Sequence, residues 1–258
     1  MAWWSRGGRD RGSTREPAGE GVAALAARNA DGVSHFAAGR PDDAVPRFED
    51  AFEGCRAALG ADHPDTLTVA GNLAAAYVAA GQSRRGLDLM LGNLVARVRV
   101  FGDDDPRTLT AADAVATTYR LVGEVDEAVA LSARAGAERN RVLGPAHPDT
   151  LVSRMGLALA RAAAGDVESA LTLLEAALQD AEQAHGARHQ HTIALRANAA
   201  ACMAVLGRAE DAVAAFGRAV EDAGELLGRN HPDTVALHDD MVNAHVPSRF
   251  SMGNSLPA

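Results

Sequence analysis

The chain has 258 residues and a formal charge of -9, and it is 47% hydrophobic but only 4% aromatic, because Ala supplies about a fifth of the residues. All 25 basic residues are Arg, which excludes chemistry that needs Lys: a Schiff base to a cofactor, a phosphate-loop Lys or a kinase-type strand Lys. The acidic balance disfavours a nucleic-acid backbone, and the Ala content argues for helices meeting through small side chains rather than for a sandwich or barrel.

Residues 1–20 carry Arg6, Arg9, Arg11 and Arg15 beside Trp3 and Trp4 but show no periodicity, so a disordered N-terminal arm is expected there. Neither this arm nor any later stretch holds the apolar run of a signal peptide or a membrane span. Cys55 and Cys202 lie far apart and lack C-x-x-C spacing, so neither a disulfide framework nor a structural zinc site is expected. Two lone thiols suit a cytoplasmic location. Arg in place of Lys, with abundant Ala and Gly, points to a GC-rich bacterial source.

From residue 59 onward one string returns at every forty-second residue: LGADHPDTL, FGDDDPRTL, LGPAHPDTL, HGARHQHTI and LGRNHPDTV. Gly39, Gly81, Gly123, Gly165 and Gly207 keep the same beat. Two punctuation marks per repeat leave two helical segments. In the segment after His63, Leu67, Ala70, Leu73, Ala74 and Tyr77 recur at spacings of three and four, one apolar face of a helix. Pro after His63 suits the first helical position, and Asp65 in the first turn favours the positive end of the dipole. Gly81 and its counterparts stand where the first helix must stop and turn.

Helix pairs are thus predicted at about 22–58, 64–101, 106–143, 148–185 and 190–227. A more polar single helix at 232–245 suits a terminal cap, and 246–258 reads as a flexible tail. The expected array spans 21–245. Its helices are expected to meet through columns of small residues. One holds Gly32, Ala74, Ala116, Ala158 and Ala200, and a second Ala44, Gly86, Ala128, Ala170 and Ala212. A third, with Ala51, Asn93, Ala135, Ala177 and Ala219, has one exception. Large neighbours such as Phe48, Leu73, Leu109 and Phe216 fill the flanking grooves.

This pattern of small packing positions beside a turn Gly, with Tyr77 and Tyr119 at the aromatic position, resembles the tetratricopeptide repeat (TPR) family. The 42-residue step with the HPDTL and NLAAAY strings resembles its kinesin-light-chain type. The resemblance implies an all-α fold, an α-solenoid of antiparallel helix pairs, which binds a protein or peptide on its concave side and carries no catalytic residues and no cofactor. His35, Arg161 and Met203 depart from the aromatic position.

Placed residue by residue, the implied groove holds Asn29, Val33 and Phe36, then Thr68, Asn72, Ala75 and Val78, then Thr110, Asp113, Thr117 and Arg120. It continues through Val152, Met155 and Leu159 to Ala194, Asn198, Ala201 and Val205. Asn72 and Asn198 share one register, and a side-chain amide can pair with both N–H and C=O of an extended peptide. With Arg120 as its one cation, the groove favours a neutral, apolar or Arg-containing segment over an acidic tail. The recurrent His-Pro-Asp at His63, His147 and His231 reads as a helix start rather than a metal site, since successive copies lie too far apart to share an ion. Histidines cluster at His185, His189 and His191 alone, and no metal is assigned. The reading is a non-catalytic binding scaffold or adaptor. The alternative is a regulatory subunit or peptide sensor whose curvature changes on ligand binding, and the oligomeric state is left open. The arm, or the tail with Phe250, is a further candidate for folding back into the groove.

Overall fold

A computed structural model describes residues 21–244; the N-terminal arm and the tail with Phe250 lie outside the described residues. Eleven α-helices and no strand occur among the described residues. The described residues form two compact units, which divide between Val122 and Gly123.

The first unit contains α1 (Val22–Ala37), α2 (Pro41–Leu59), α3 (Pro64–Ala79), α4 (Ser83–Phe101) and α5 (Pro106–Leu121), each packed on the next, with α1 also adjoining α3. The second contains α6 (Val125–Leu143), α7 (Pro148–Ala163), α8 (Val167–His185), α9 (Gln190–Val205), α10 (Ala209–Leu226) and α11 (Pro232–Asn243), likewise packed in order, with α7 adjoining α9. This is the all-α, α-solenoid type of helix-pair packing that the repeat implies.

The turn between α3 and α4 closes at Gly81, whose φ of +77° a side chain would resist. The residue that ends α4, Gly102, has φ +94°. The small columns lie at the helix crossings: Ala74, Ala158 and Ala200 are fully buried, as are Ala44, Ala170 and Ala212. At Gly32 a Cβ would stand 2.7 Å from the Phe48 ring, so α1 and α2 meet as closely as they do because that position has no side chain. The cores follow these crossings. Phe48, Leu73 and Tyr77 centre one cluster of the first unit, and Leu151, Leu174 and Leu195 one of the second.

The aromatic marker is a buried phenol with a partner. Tyr77 donates to Glu49 Oε1 at 2.5 Å, and burial together with that carboxylate pushes the phenol up to about 12. Arg85 lies 4.0 Å over the ring and donates to the same carboxylate at 3.0 Å.

The exception in the third column also has a physical reason. Asn93 donates to the Leu67 carbonyl oxygen at 3.0 Å and accepts from Arg97 Nε at 3.3 Å, while Arg97 itself donates to Leu67 O at 3.0 Å and reaches Arg107 O at 3.5 Å. Arg97 is thereby buried among carbonyl oxygens, a set of partners that offsets much of its desolvation. Gly71 makes room, since a Cβ there would stand 3.3 Å from the Asn93 amide. In the second unit Arg139, at the register of Arg97, donates to Asp149 O at 3.0 Å.

Candidate functional site

The recurrent histidine begins its helix through its own side chain. His63 Nδ1 accepts the Asp65 N–H at 3.2 Å, His147 that of Asp149 at 3.2 Å, His189 that of His191 at 3.3 Å and His231 that of Asp233 at 3.3 Å. Asp105 does the same with Arg107 N–H at 2.8 Å. A lone-pair nitrogen or a carboxylate thus satisfies an N–H that the first turn leaves unpaired. Only an imidazole with Nδ1 unprotonated can do this, so these histidines have a tautomer dictated by the helix.

Where α8 runs into α9, His185 stacks on His189 with ring centroids 4.6 Å apart, and His191 lies 5.2 Å beyond. His185 Nε2 meets Ala146 O at 2.6 Å, which makes it a donor. With the inner nitrogens used in this way, no group of three His, Cys, Asp or Glu side chains among the described residues is arranged to hold a metal ion. Burial, with His185 as the next cause, lowers His189, and burial with His189 and His185 lowers His191. Both rings therefore favour the neutral form when folded, and the unfolded chain binds protons first as the pH falls. The junction contributes fully above about pH 6.5 and loses its contribution progressively below it. Thermal melting is expected to fall on acidification through this range, and the fall should shrink in a His189→Asn, His191→Ala variant, where Asn keeps the cap. An unchanged slope in the variant would remove these rings as the cause.

The groove residues divide between the two units. In the first, Asn72 Nδ2 donates to Asn29 Oδ1 at 3.0 Å, joining α3 to α1, and this leaves Asn72 only 9% exposed. Phe36 and Val33 pack, partly buried, against the core around Phe48 that α2 and α3 build. Thr68 and Thr110 bend back on their own helices, donating to Pro64 O at 2.9 Å and Pro106 O at 2.8 Å. Asp113, Thr117 and Arg120 follow along one face of α5, with Thr117 exposed. Arg120 is half-buried, and burial lowers its guanidinium from the ordinary value.

In the second unit the same contact recurs three repeats further on, again between partners 43 residues apart: Asn198 Nδ2 approaches Met155 Sδ at 3.4 Å and donates to Ala194 O at 2.9 Å. Asn29 with Asn72 and Met155 with Asn198 are thus equivalent junctions between successive first helices. Along the same helices Val152, one turn before Met155, remains 37% exposed, and Val205, at the end of α9, 45% exposed. These two valines stand in the stripe read from the sequence, but only their exposure distinguishes them from its packed members. The thiols take no part: Cys55 and Cys202 are buried and free, and burial raises both, Cys202 to about 11. No described helix is long and apolar enough to cross a membrane.

The tetratricopeptide repeat family matches the chain over residues 24–91, 119–183 and 149–221. Among solved structures, the nearly identical TPR-like repeats of a kinesin light chain-like protein from Podosopora anserina superpose with a TM-score of 0.69 at 24% identity, covering 81% of this chain and 99% of that one. BtubC (BKLC) from P. vanneervenii superposes with a TM-score of 0.67 at 18% identity, over 82% of this chain and 84% of its own. A Rap protein complexed with competence and sporulation factor gives 0.68 at 13% identity, over 82% of this chain and 56% of the other. No protein of curated function matches in sequence.

Proposed function

The chain belongs to the tetratricopeptide repeat family, and from that premise we propose that it is a non-catalytic scaffold or adaptor holding a protein or peptide on the first-helix faces of each unit. Helix-pair repeats of this family mediate protein–protein interaction. The observation that carries the reading here is apolar side chains left exposed on first helices of the second unit, Val152 near the start of α7 and Val205 at the end of α9. Apolar area at such a place gains about 25 cal/mol per Å² when a partner covers it.

In the first unit the proposed contacts are Asn29, Phe36, Thr68, Asn72, Thr110, Asp113, Thr117 and Arg120, and in the second Met155 and Asn198. Asn72 uses an N–H at the α1–α3 junction, and Asn198 donates to Ala194 O of its own helix and approaches Met155 Sδ; the amide oxygen of each is proposed to accept an incoming N–H. A neutral, apolar or Arg-containing segment suits a stripe whose one cation is Arg120. The reading requires no cofactor and no nucleic acid; a bacterial cytoplasm is proposed as its location from the two lone thiols and the Arg-, Ala- and Gly-rich composition alone.

The test is capture of partners from the native host by the tagged chain, run beside a Val152→Asp, Val205→Asp variant. Both positions are exposed, so circular dichroism and melting should stay close to wild type while a discrete partner is lost. A partner retained in full by the variant would remove this face from the reading. A second reading, a peptide sensor that switches another protein, draws on the fold likeness to the factor-bound Rap protein. It predicts an empty capture together with a change of hydrodynamic shape on adding a peptide.

A further inference from the structure

The outer face of α4 breaks the rule kept by the other second helices. Arg84, Asp88, Gly92, Val95 and Arg99 recur at spacings of three and four, so they share one face, and all five are exposed. At the register of Val95 the other second helices carry Glu53, Ala137, Gln179 and Glu221, and at that of Val98 they carry Arg56, Asn140, Glu182 and Gly224. Those are the residues of a solvated surface. In α4 both positions are valine, 66% and 38% exposed, and the charges around them are arranged with a symmetry the sister helices do not share.

We propose that this face binds a second copy of the chain, as an antiparallel pair of α4 helices about a two-fold axis. An axis level with the peptide joining Asn93 to Leu94 sets Asp88 level with Arg99 of the second copy, and Arg99 level with Asp88 of the second copy. The same axis sets Gly92 level with Val95 of the second copy. One rotation thus satisfies an apolar contact and an opposite-charge contact on each side, which is what an isologous interface demands of a single surface.

The space at Gly92 supports the same geometry. A Cβ there would meet nothing within 4 Å, so nothing of the chain's own fills the hollow that Val95 of the second copy would enter, and two helix axes can approach closely at that level. Arg99 already pairs with Asp62 of its own chain, and a guanidinium has donors enough for a second carboxylate. This surface lies on a second helix, apart from the stripe of first helices proposed to hold a partner, so neither proposal depends on the other.

One pair of helices buries less than the roughly 1,200–2,000 Å² of a stable interface, so the dimer is expected to be weak and to grow in with concentration. Sedimentation velocity on the full chain, from low micromolar to near millimolar, should show the mass rising from one chain toward two. Val95→Glu, which copies the residue of Glu53 and Glu221, should raise the dissociation constant by at least about tenfold without changing the helical signal or melting.

Charge reversal supplies the stricter test. Asp88→Arg sets like charges against Arg99 of the second copy, and Arg99→Asp sets like charges against Asp88, so each variant alone should remain a monomer. Mixed in equal amounts they face opposite charges at both contacts, and the mixture should regain the dimer. A wild-type chain monomeric at every concentration, a Val95→Glu chain that dimerises like wild type, or a mixture no better than its components would each overturn the proposal. So would a monomeric chain whose Val95→Glu variant loses a different captured protein, because the face would then belong to that protein.

Discussion

Replacing Phe48 with alanine is expected to cost about 3–5 kcal/mol, the range for removing a fully buried aromatic side chain. The ring fills the notch left by Gly32 and lies in the cluster shared with Leu73 and Tyr77, so its removal loosens the meeting of α1, α2 and α3 together. The notch makes the effect specific. Gly32→Ala in the wild-type chain places a Cβ 2.7 Å from the Phe48 ring, and the ring has little freedom to retreat in a packed core, so overpacking exceeds the ~1 kcal/mol that Ala gains over Gly in a helix. In the Phe48→Ala background the clash is gone and the same substitution should stabilise. The sign of Gly32→Ala is therefore expected to reverse between the two backgrounds, and a double-mutant cycle measures that coupling. Repeat arrays unfold region by region, so the readout is amide hydrogen exchange in α1–α3 beside the urea transition. Additivity of the two substitutions would remove the ring-in-notch account of this crossing.

Arg196→Ala should cost about 2–3 kcal/mol, somewhat below the cost of breaking a wholly buried ion pair because its partners keep some contact with water. Arg196 is buried on α9, pairs with Asp222 of α10, and donates to Glu182 of α8 at 2.7 Å, so one guanidinium ties three helices of the second unit. Its loss leaves Asp222, itself only partly exposed, without compensation. The repeat supplies its own control. At these two registers the pair in α7 and α8 is again charged, Arg154 with Asp180 at 2.5 Å, whereas in α3 and α4 it is Ala70 with Ala96. The Ala70 position is buried and well packed, so the site tolerates both a complete ion pair and no charge at all. Arg196→Ala with Asp222→Ala should accordingly recover most of the stability lost by the single change. Hydrogen exchange across α8–α10 checks this, and a double variant as unstable as the single one would mean that Arg196 acts through packing of its stem rather than through charge.

Much of the fold was legible because its signals are local and repeated. A Pro at the first helical position, a Gly at the turn and a small residue at each crossing act within a few residues of their own place, and five copies in register separate them from coincidence. The candidate site was less legible. The stripe of first-helix residues can be listed from periodicity, but whether a member is open depends on what the next helix lays over it. Asn72 shows this: its register marks it as a groove amide, yet Asn29 takes its donor and leaves it nearly buried. Val152 and Val205 are ordinary apolar members of the stripe in sequence, and the structure leaves them exposed while Val33 and Met155 pack against the cores.

By itself, then, the sequence determined the helix-pair repeat, the start and stop of its helices, the small-residue crossings and the absence of Lys chemistry, since each follows from residue type and spacing. Tertiary structure alone decided that the recurrent histidine caps its helix through Nδ1, that Asn93 and Arg97 satisfy one carbonyl oxygen together, that Arg196 closes on Asp222, and that Val95 stands in water. These depend on the direction of individual side chains and on neighbours brought in by packing, and hydrophobic periodicity records which face of a helix is apolar without recording what comes to lie against it.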